Sequence, residues 1–168
     1  AAGCTIVLKP AEDTPLCAIE VFKALEQAGL PAGVANLVTA ADPGPIGDEF
    51  TSNPLVGKLT FTGSTAVGKM LARNAADNLQ RVSMELGGHA PFIVFADADP
   101  VHAAKGAALV KFLNTGQACI SPNRIFVHSS IHDAFAEAFT ERVAKLRAGS
   151  GFDKDVSIGP LINDAAMD

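Results

Sequence analysis

The sequence predicts an α/β fold built on parallel strands, and three observations carry that prediction. Short apolar runs alternate with amphipathic stretches in the order strand, helix, strand, helix, strand through the first half of the chain. Gly87-Gly88 separates that half from a second series of strands and helices. Hydrophobic residues make up 48 % of the 168 positions against 18 % charged, a balance that suits a buried body and not a disordered one. Strands alternating with helices are joined in parallel through right-handed crossovers.

Each element has its own justification. Thr5 to Leu8 is an apolar run between Gly3 and Lys9-Pro10, read as a buried strand. Thr14-Pro15 reads as a helix start, Thr as N-cap and Pro in the first turn; Ile19, Phe22, Leu25 and Ala28 then mark one face, and Gly29 with Pro31 ends the helix. Val34 to Val38 is a second strand. A Pro/Gly-rich turn over Ala40 to Gly47 leads to a short helix around Asp48 to Ser52. Leu59 to Phe61 is a third strand, followed at Thr62-Gly63-Ser64 by a helix over about Thr65 to Ala76, with Val67, Leu71 and Ala75 on one side. In Arg81 to Leu86 apolar and polar residues alternate, which puts Glu85 on the polar face at the strand's end. The two glycines that follow permit a change of direction and set the domain boundary: residues 1–87 form one part, residues 88–168 the other. Phe92 to Phe95 is the next buried strand. Asp99-Pro100 caps an Ala-rich helix running to about Asn114, Ile125 to Val127 is a strand, and Ser130 with Asp133 suggests a capping box for a last helix striped by Ile131, Phe135, Phe139, Val143 and Leu146.

Composition excludes several classes of function. The net charge of -5, without a basic cluster, argues against nucleic acid as a partner. Three cysteines, Cys4, Cys17 and Cys119, have neither C-x-x-C spacing nor a His pair beside them, so no disulfide framework or metal site is expected and a cytoplasmic location is the default. No run is long enough to span a bilayer, and no charged segment leads a signal peptide. The chain opens on Ala1 with no Met, and Ala165 to Asp168 reads as an interrupted helical turn, so both ends look like breaks in a longer sequence.

The chemistry centres on Asn114-Thr115-Gly116-Gln117-Ala118-Cys119. A cysteine just past a helix end is a candidate nucleophile once a base is supplied; a free cysteine taken alone is more often a buried bystander. Glu85 is the candidate base. A strand of about six residues runs roughly 20 Å outward, and a helix of about fourteen returns the chain roughly 21 Å, so Cys119 comes back to the level of Gly87-Gly88. A solvated strand end explains Glu85 equally well. The stretch Gly63 to Lys69 fits G-x-x-x-x-G-K, but Met70 stands where a P-loop needs a hydroxyl for Mg²⁺. Two further readings remain: a dinucleotide pyrophosphate at the helix N-terminus near Gly63 and Ser64, or a plain strand-to-helix turn in which Gly63 takes a positive φ. Lys9 and Glu12 lie where the first strand ends, the binding edge of an open α/β sheet, as ribose ligands or as loop charges in water.

Four ordered strings resemble the aldehyde dehydrogenase superfamily: Lys9-Pro10-Ala11-Glu12-Asp13-Thr14-Pro15, Phe61-Thr62-Gly63-Ser64-Thr65, Met84-Glu85-Leu86-Gly87-Gly88 and Asn114 to Cys119. The resemblance covers essentially the whole chain. Within the superfamily, Thr51 to Val56, Ala90 to Phe95 and Ile158 to Ile162 are most similar to succinate-semialdehyde dehydrogenases.

The resemblance implies a Rossmann-like cofactor domain, present in part, followed by the start of an α/β catalytic domain. It implies Cys119 as nucleophile, Glu85 as general base, Lys9 and Glu12 at the adenine ribose, Gly63 and Ser64 by the pyrophosphate, and Asn114 in the turn that presents the thiol. It further implies an aldehyde substrate, NAD as cofactor without exclusion of NADP, no metal, and a homo-oligomer in the full-length form. The implied reaction is oxidation of an aldehyde to a carboxylate through a thiohemiacetal and a thioester. Further groups of the site would lie before Ala1 and after Asp168, so residues 1–168 alone are expected to be inactive. The other functional class is a truncated module that binds a nucleotide or a partner without catalysis. Two positions depart from succinate-semialdehyde dehydrogenases: Leu113 stands where an Arg is common, and Ser121 where many carry a second Cys.

Overall fold

The computed structural model describes residues 3–167. The chain divides between Glu85 and Leu86 into two compact units.

In the first unit, β1 (Ile6–Leu8) and β2 (Ala35–Leu37) pair in parallel, Val7 opposite Asn36. Between them runs α1 (Leu16–Gln27). Its C-terminus is a Schellman closure: Leu30 N–H donates to Leu25 O at 3.1 Å, Gly29 N–H donates to Glu26 O at 2.9 Å, and Gly29 has φ 81°. Its N-terminus differs from the expectation. Pro15 is already helical, and no side chain caps the helix, because Thr14 is drawn into a turn through its N–H to Ala11 O at 3.2 Å. The expected burial of the first strand also fails. Ile6 and Val7 are more than half exposed, since among the described residues β1 has β2 as its one strand neighbour and α1 packs on β2.

Next come α2 (Gly44–Ser52), β3 (Lys58–Gly63), α3 (Thr65–Ala76) and β4 (Arg81–Leu86), the last paired with β3 in a second two-stranded sheet. α2 begins four residues earlier than the sequence suggests. Asp42 Oδ1 accepts from Gly44 N–H at 2.9 Å, and Pro45 sits in the first turn, where its missing N–H costs nothing. Ser64 caps α3, accepting from Val67 N–H at 3.3 Å. The buried face of α3 is Gly68, Leu71 and Ala75, with Val67 turned outward, so the apolar stripe is rotated from the expected one. Leu59 completes this core. The turn into β4 is held by two amides: Asn78 donates to Thr51 O and Ser52 O at 2.9 and 3.0 Å, and Gln80 to Phe50 O and Val56 O at 2.9 and 2.6 Å.

The second unit holds β5 (Phe92–Val94) and β6 (Ile125–Val127), parallel and in register from Phe92–Ile125 to Val94–Val127. Two helices, α4 (Pro100–Phe112) and α5 (His132–Ala144), pack on each other. Val94, Ala104, Ala107 and Phe135 are the buried centre, with Phe139 stacked on Phe135 at a ring separation of 5.8 Å. Alanines at 104 and 107 let the two helices approach closely. Phe95, expected in the buried strand, lies beyond β5 and is exposed. Asp99 caps α4, its carboxylate accepting from His102 N–H at 2.6 Å. The capping box expected for α5 does not form. Ser130 lies in a 3-10 turn and its N–H donates to His128 Nδ1 at 3.2 Å, while Asp133 Oδ1 contacts His132 Nδ1 at 2.9 Å. Among the described residues no helix is long and apolar enough to cross a membrane.

Candidate active site

The residues singled out in the first unit gather at two places. Lys9, just past β1, donates to Pro10 O at 2.9 Å and to Glu12 Oε1. That hydrogen bond holds the Glu12 carboxyl below the usual carboxylate range. The two side chains are therefore a pair, and neither is a lone charge in water. Beside them opens a cleft of about 380 Å³ lined by Pro10, Ala11, Glu12, Pro15, Thr39, Ala40 and Ala41, at the ends of β1 and β2. A cleft at the carboxyl ends of parallel strands is where α/β folds bind nucleotides. Its wall carries the Glu12 carboxylate among alanines and prolines.

The second place is the turn from β3 to α3. Gly63 ends the strand without a positive φ, so the conformational reason expected for this glycine is wrong. A Cβ at Gly63 would meet the ring of Phe61, which shares its strand face, so a side chain there would require that ring to turn aside. The same turn rules out a P-loop. Helix α3 already starts at Thr65, and Gly68 lies on its buried face, so no loop remains to wrap phosphates. What remains is a capped helix N-terminus, whose N–H groups and dipole favour an anion. Glu85 is exposed at the end of β4.

In the second unit, Cys119 is exposed. So are Cys4 and Cys17, which the sequence places on apolar faces; β1 and the start of α1 are too thinly covered to bury them. What distinguishes Cys119 is the turn before it. α4 stops at Phe112, earlier than expected, because Leu113 leaves helical geometry at ψ 129°. Asn114 (φ 50°, ψ 44°), Thr115 (φ 61°, ψ 26°) and Gly116 (φ 80°) then follow one another in the left-handed region. A β-branched residue is disfavoured there, so the neighbours must hold Thr115 in place.

They do so through four side chains. Asn114 Nδ2 donates to Gln117 O at 3.2 Å, and Gln117 Nε2 donates to Asn114 O at 3.3 Å. Thr115 Oγ1 donates to Gly159 O at 3.4 Å, and Ile162 N–H donates to Gln117 Oε1 at 3.0 Å. Ser121, 5 % exposed, donates to Lys111 O at 3.0 Å and ties the far side of the turn to the last turn of α4. The resemblance puts Asn114 in this turn, whereas Thr115, Gln117 and Ser121 were given no role, since nothing in the local sequence points to Gly159 O, Ile162 N–H or Lys111 O as their partners.

The whole sequence, residues 1–168, matches the aldehyde dehydrogenase family. It is 56% identical over 99% of its length to a protein of Sinorhizobium fredii named probable succinate-semialdehyde dehydrogenase [NADP(+)]. It is 48% identical over 99% of its length to a glutarate-semialdehyde dehydrogenase of Pseudomonas putida. A crystal structure described as an E. coli NADP dependent enzyme superposes with a TM-score of 0.94 at 50% identity over 98% of this chain. The chain spans about a third of the length of these relatives, 34% of the Sinorhizobium protein, 35% of the Pseudomonas protein and 34% of the E. coli structure. On that match, and on the α/β architecture that accompanies it, the chain belongs to the aldehyde dehydrogenase family.

Proposed function

We propose that the protein oxidises an aldehyde, in particular a semialdehyde such as succinate semialdehyde, to the carboxylate with NAD(P)+, Cys119 acting as nucleophile and Glu85 as general base. One observation carries this reading: Cys119 is exposed immediately after a left-handed turn that four side chains brace, the arrangement of a thiol presented for reaction. The thiolate adds to the aldehyde carbon and forms a thiohemiacetal, with a main-chain N–H near Cys119 helping to hold the oxyanion. A bound nicotinamide supplies the acceptor for the hydride that leaves that carbon. Glu85 then takes a proton from water, which attacks the thioester and releases the carboxylate and the thiol.

The cleft beside Glu12 would hold the adenine ribose, with Lys9 alongside, and Gly63 and Ser64 would meet the pyrophosphate at the N-terminus of α3. Glu12 opposes a 2′-phosphate by its charge while Lys9 offsets that charge, so NAD is favoured and NADP remains accepted. Leu113, with no charge for a substrate carboxylate, leaves room for an aldehyde other than succinate semialdehyde. The reading extends to a homo-oligomer, a cytoplasmic location suited to three free thiols, and no nucleic-acid partner.

The test is NAD(P)H formation by the complete protein with succinate and glutarate semialdehydes and a neutral aldehyde. Cys119→Ala should abolish turnover, whereas Cys4→Ala and Cys17→Ala should keep it. Near-normal turnover in Cys119→Ala would overturn the nucleophile assignment.

A further inference from the structure

Gln117 does two jobs with one amide. Its Nε2 closes the left-handed turn onto Asn114 O at 3.3 Å, and its Oε1 accepts the Ile162 N–H at 3.0 Å across forty-five positions of sequence. Its main chain takes part as well, with Gln117 N–H donating to Asn114 O at 3.1 Å and Gln117 O accepting from Asn114 Nδ2 at 3.2 Å. The segment at the other end of this tether is itself fixed. Ile158 bridges Ala148, with Gly149 N–H donating to Ile158 O at 3.0 Å and Ile158 N–H to Arg147 O at 3.1 Å, and Gly159 O receives the Thr115 hydroxyl. The turn two residues before Cys119 is thus strapped to a second, anchored stretch of chain.

We propose that Gln117 is a positioning residue: its amide locks the left-handed turn and docks it on the Gly159 to Ile162 segment, and so sets where the Cys119 thiol points. The inference rests on the reading of Cys119 as nucleophile. Leaving the turn free would let Asn114 and Thr115 relax toward ordinary backbone conformations and carry the thiol with them. A displacement of about 1 Å at a reacting atom can cost a hundredfold in rate.

Gln117→Glu separates this role from a merely structural one. Ionised, the new side chain still accepts from Ile162 N–H but sets an anionic oxygen against Asn114 O. Protonated, it regains a donor and mimics the amide. In the complete protein, kcat of Gln117→Glu relative to wild type should be down about a hundredfold at neutral pH and should climb as pH falls through the carboxyl titration, with KM for the cofactor unmoved. Gln117→Leu should lose the same rate at every pH.

A second readout needs no turnover. In a background where every cysteine but Cys119 is replaced by Ser, a fluorinated label on Cys119 should give one sharp resonance, shifted or split in Gln117→Leu. If Gln117→Leu does not fold, Thr115→Val removes the neighbouring tether alone and should split the same resonance. A pH-independent activity ratio in Gln117→Glu, or an unchanged label resonance in the folded variants, would overturn the proposal. Turnover surviving in Cys119→Ala would instead remove the nucleophile reading, and the label would still decide whether Gln117 positions the thiol.

Discussion

Gly116 has φ 80°, and a Cβ added there would meet Lys111 O at 3.3 Å. Both the dihedral and the close carbonyl oppose any L side chain, so Gly116→Ala should destabilise the protein by about 1–3 kcal/mol, read as a shift of the urea midpoint without a change of slope. The same variant should disturb the Cys119 turn. Glu12 sets a second expectation, through pH. Its carboxyl titrates below the ordinary range because Lys9 donates to it. The native state therefore holds this proton less tightly than the unfolded chain does, and the pair's stabilisation is full above the unfolded carboxyl's pKa and is lost as pH falls through the lowered one. Wild type and Glu12→Gln should differ in stability near neutral pH and converge in acid, by a small amount since both side chains reach solvent. Curves that stay parallel into acid would show that the pair contributes nothing. The positions of the candidate residues were legible in the sequence: Cys119 past a helix end, Glu85 at a strand end, Lys9 and Glu12 past the first strand. Gln117 and Ser121 were not, because what they bind is Ile162 N–H and Lys111 O, main-chain groups that every residue supplies.

At the level of elements, local chemistry and tertiary context divide the outcome. Ser64 and Asp99 both cap their helices, each accepting from the N–H three residues on, and of the two Asp99 is the cap the sequence predicts. Thr14 has the same sequence signature before Pro15 and does not cap, because the turn from Ala11 to Thr14 delivers Pro15 in helical geometry. The two cases yield a paired prediction. Asp99→Ala should cost about 1 kcal/mol and loosen the start of α4, the helix that leads to Cys119, whereas Thr14→Ala should be nearly neutral. Equilibrium urea melts of the two variants decide it, and equal losses would mean that the Thr14 hydroxyl caps after all. Strand positions were legible for the same reason as caps, as short apolar runs between turn residues. Burial was not: β1 is as apolar as β5, yet β1 stays exposed while Val94 of β5 is buried, because α4 and α5 pack against the β5–β6 sheet. Period and composition describe a strand's own residues, and what lies on top of it is set elsewhere in the chain.

Taken alone, the 168-residue chain leaves apolar residues open on regular structure: Ile6, Val7 and Leu8 along β1 in the first unit, and Ile93, Phe126 and Leu109 on β5, β6 and α4 in the second. Soluble monomers seldom leave strands with apolar residues open on this scale, and an uncovered apolar strand edge is a template for pairing with another chain. The 168-residue chain in isolation should therefore self-associate with rising concentration. Sedimentation velocity would read this as a growing sedimentation coefficient, and Ile6→Lys with Phe126→Lys should reduce it without unfolding either unit, since neither side chain belongs to a buried core. The same preparation should make no NAD(P)H from semialdehydes. A chain that stayed monomeric at every concentration would show that the open strands are tolerated in water, and turnover by that monomer would show that residues 1–168 suffice for the chemistry.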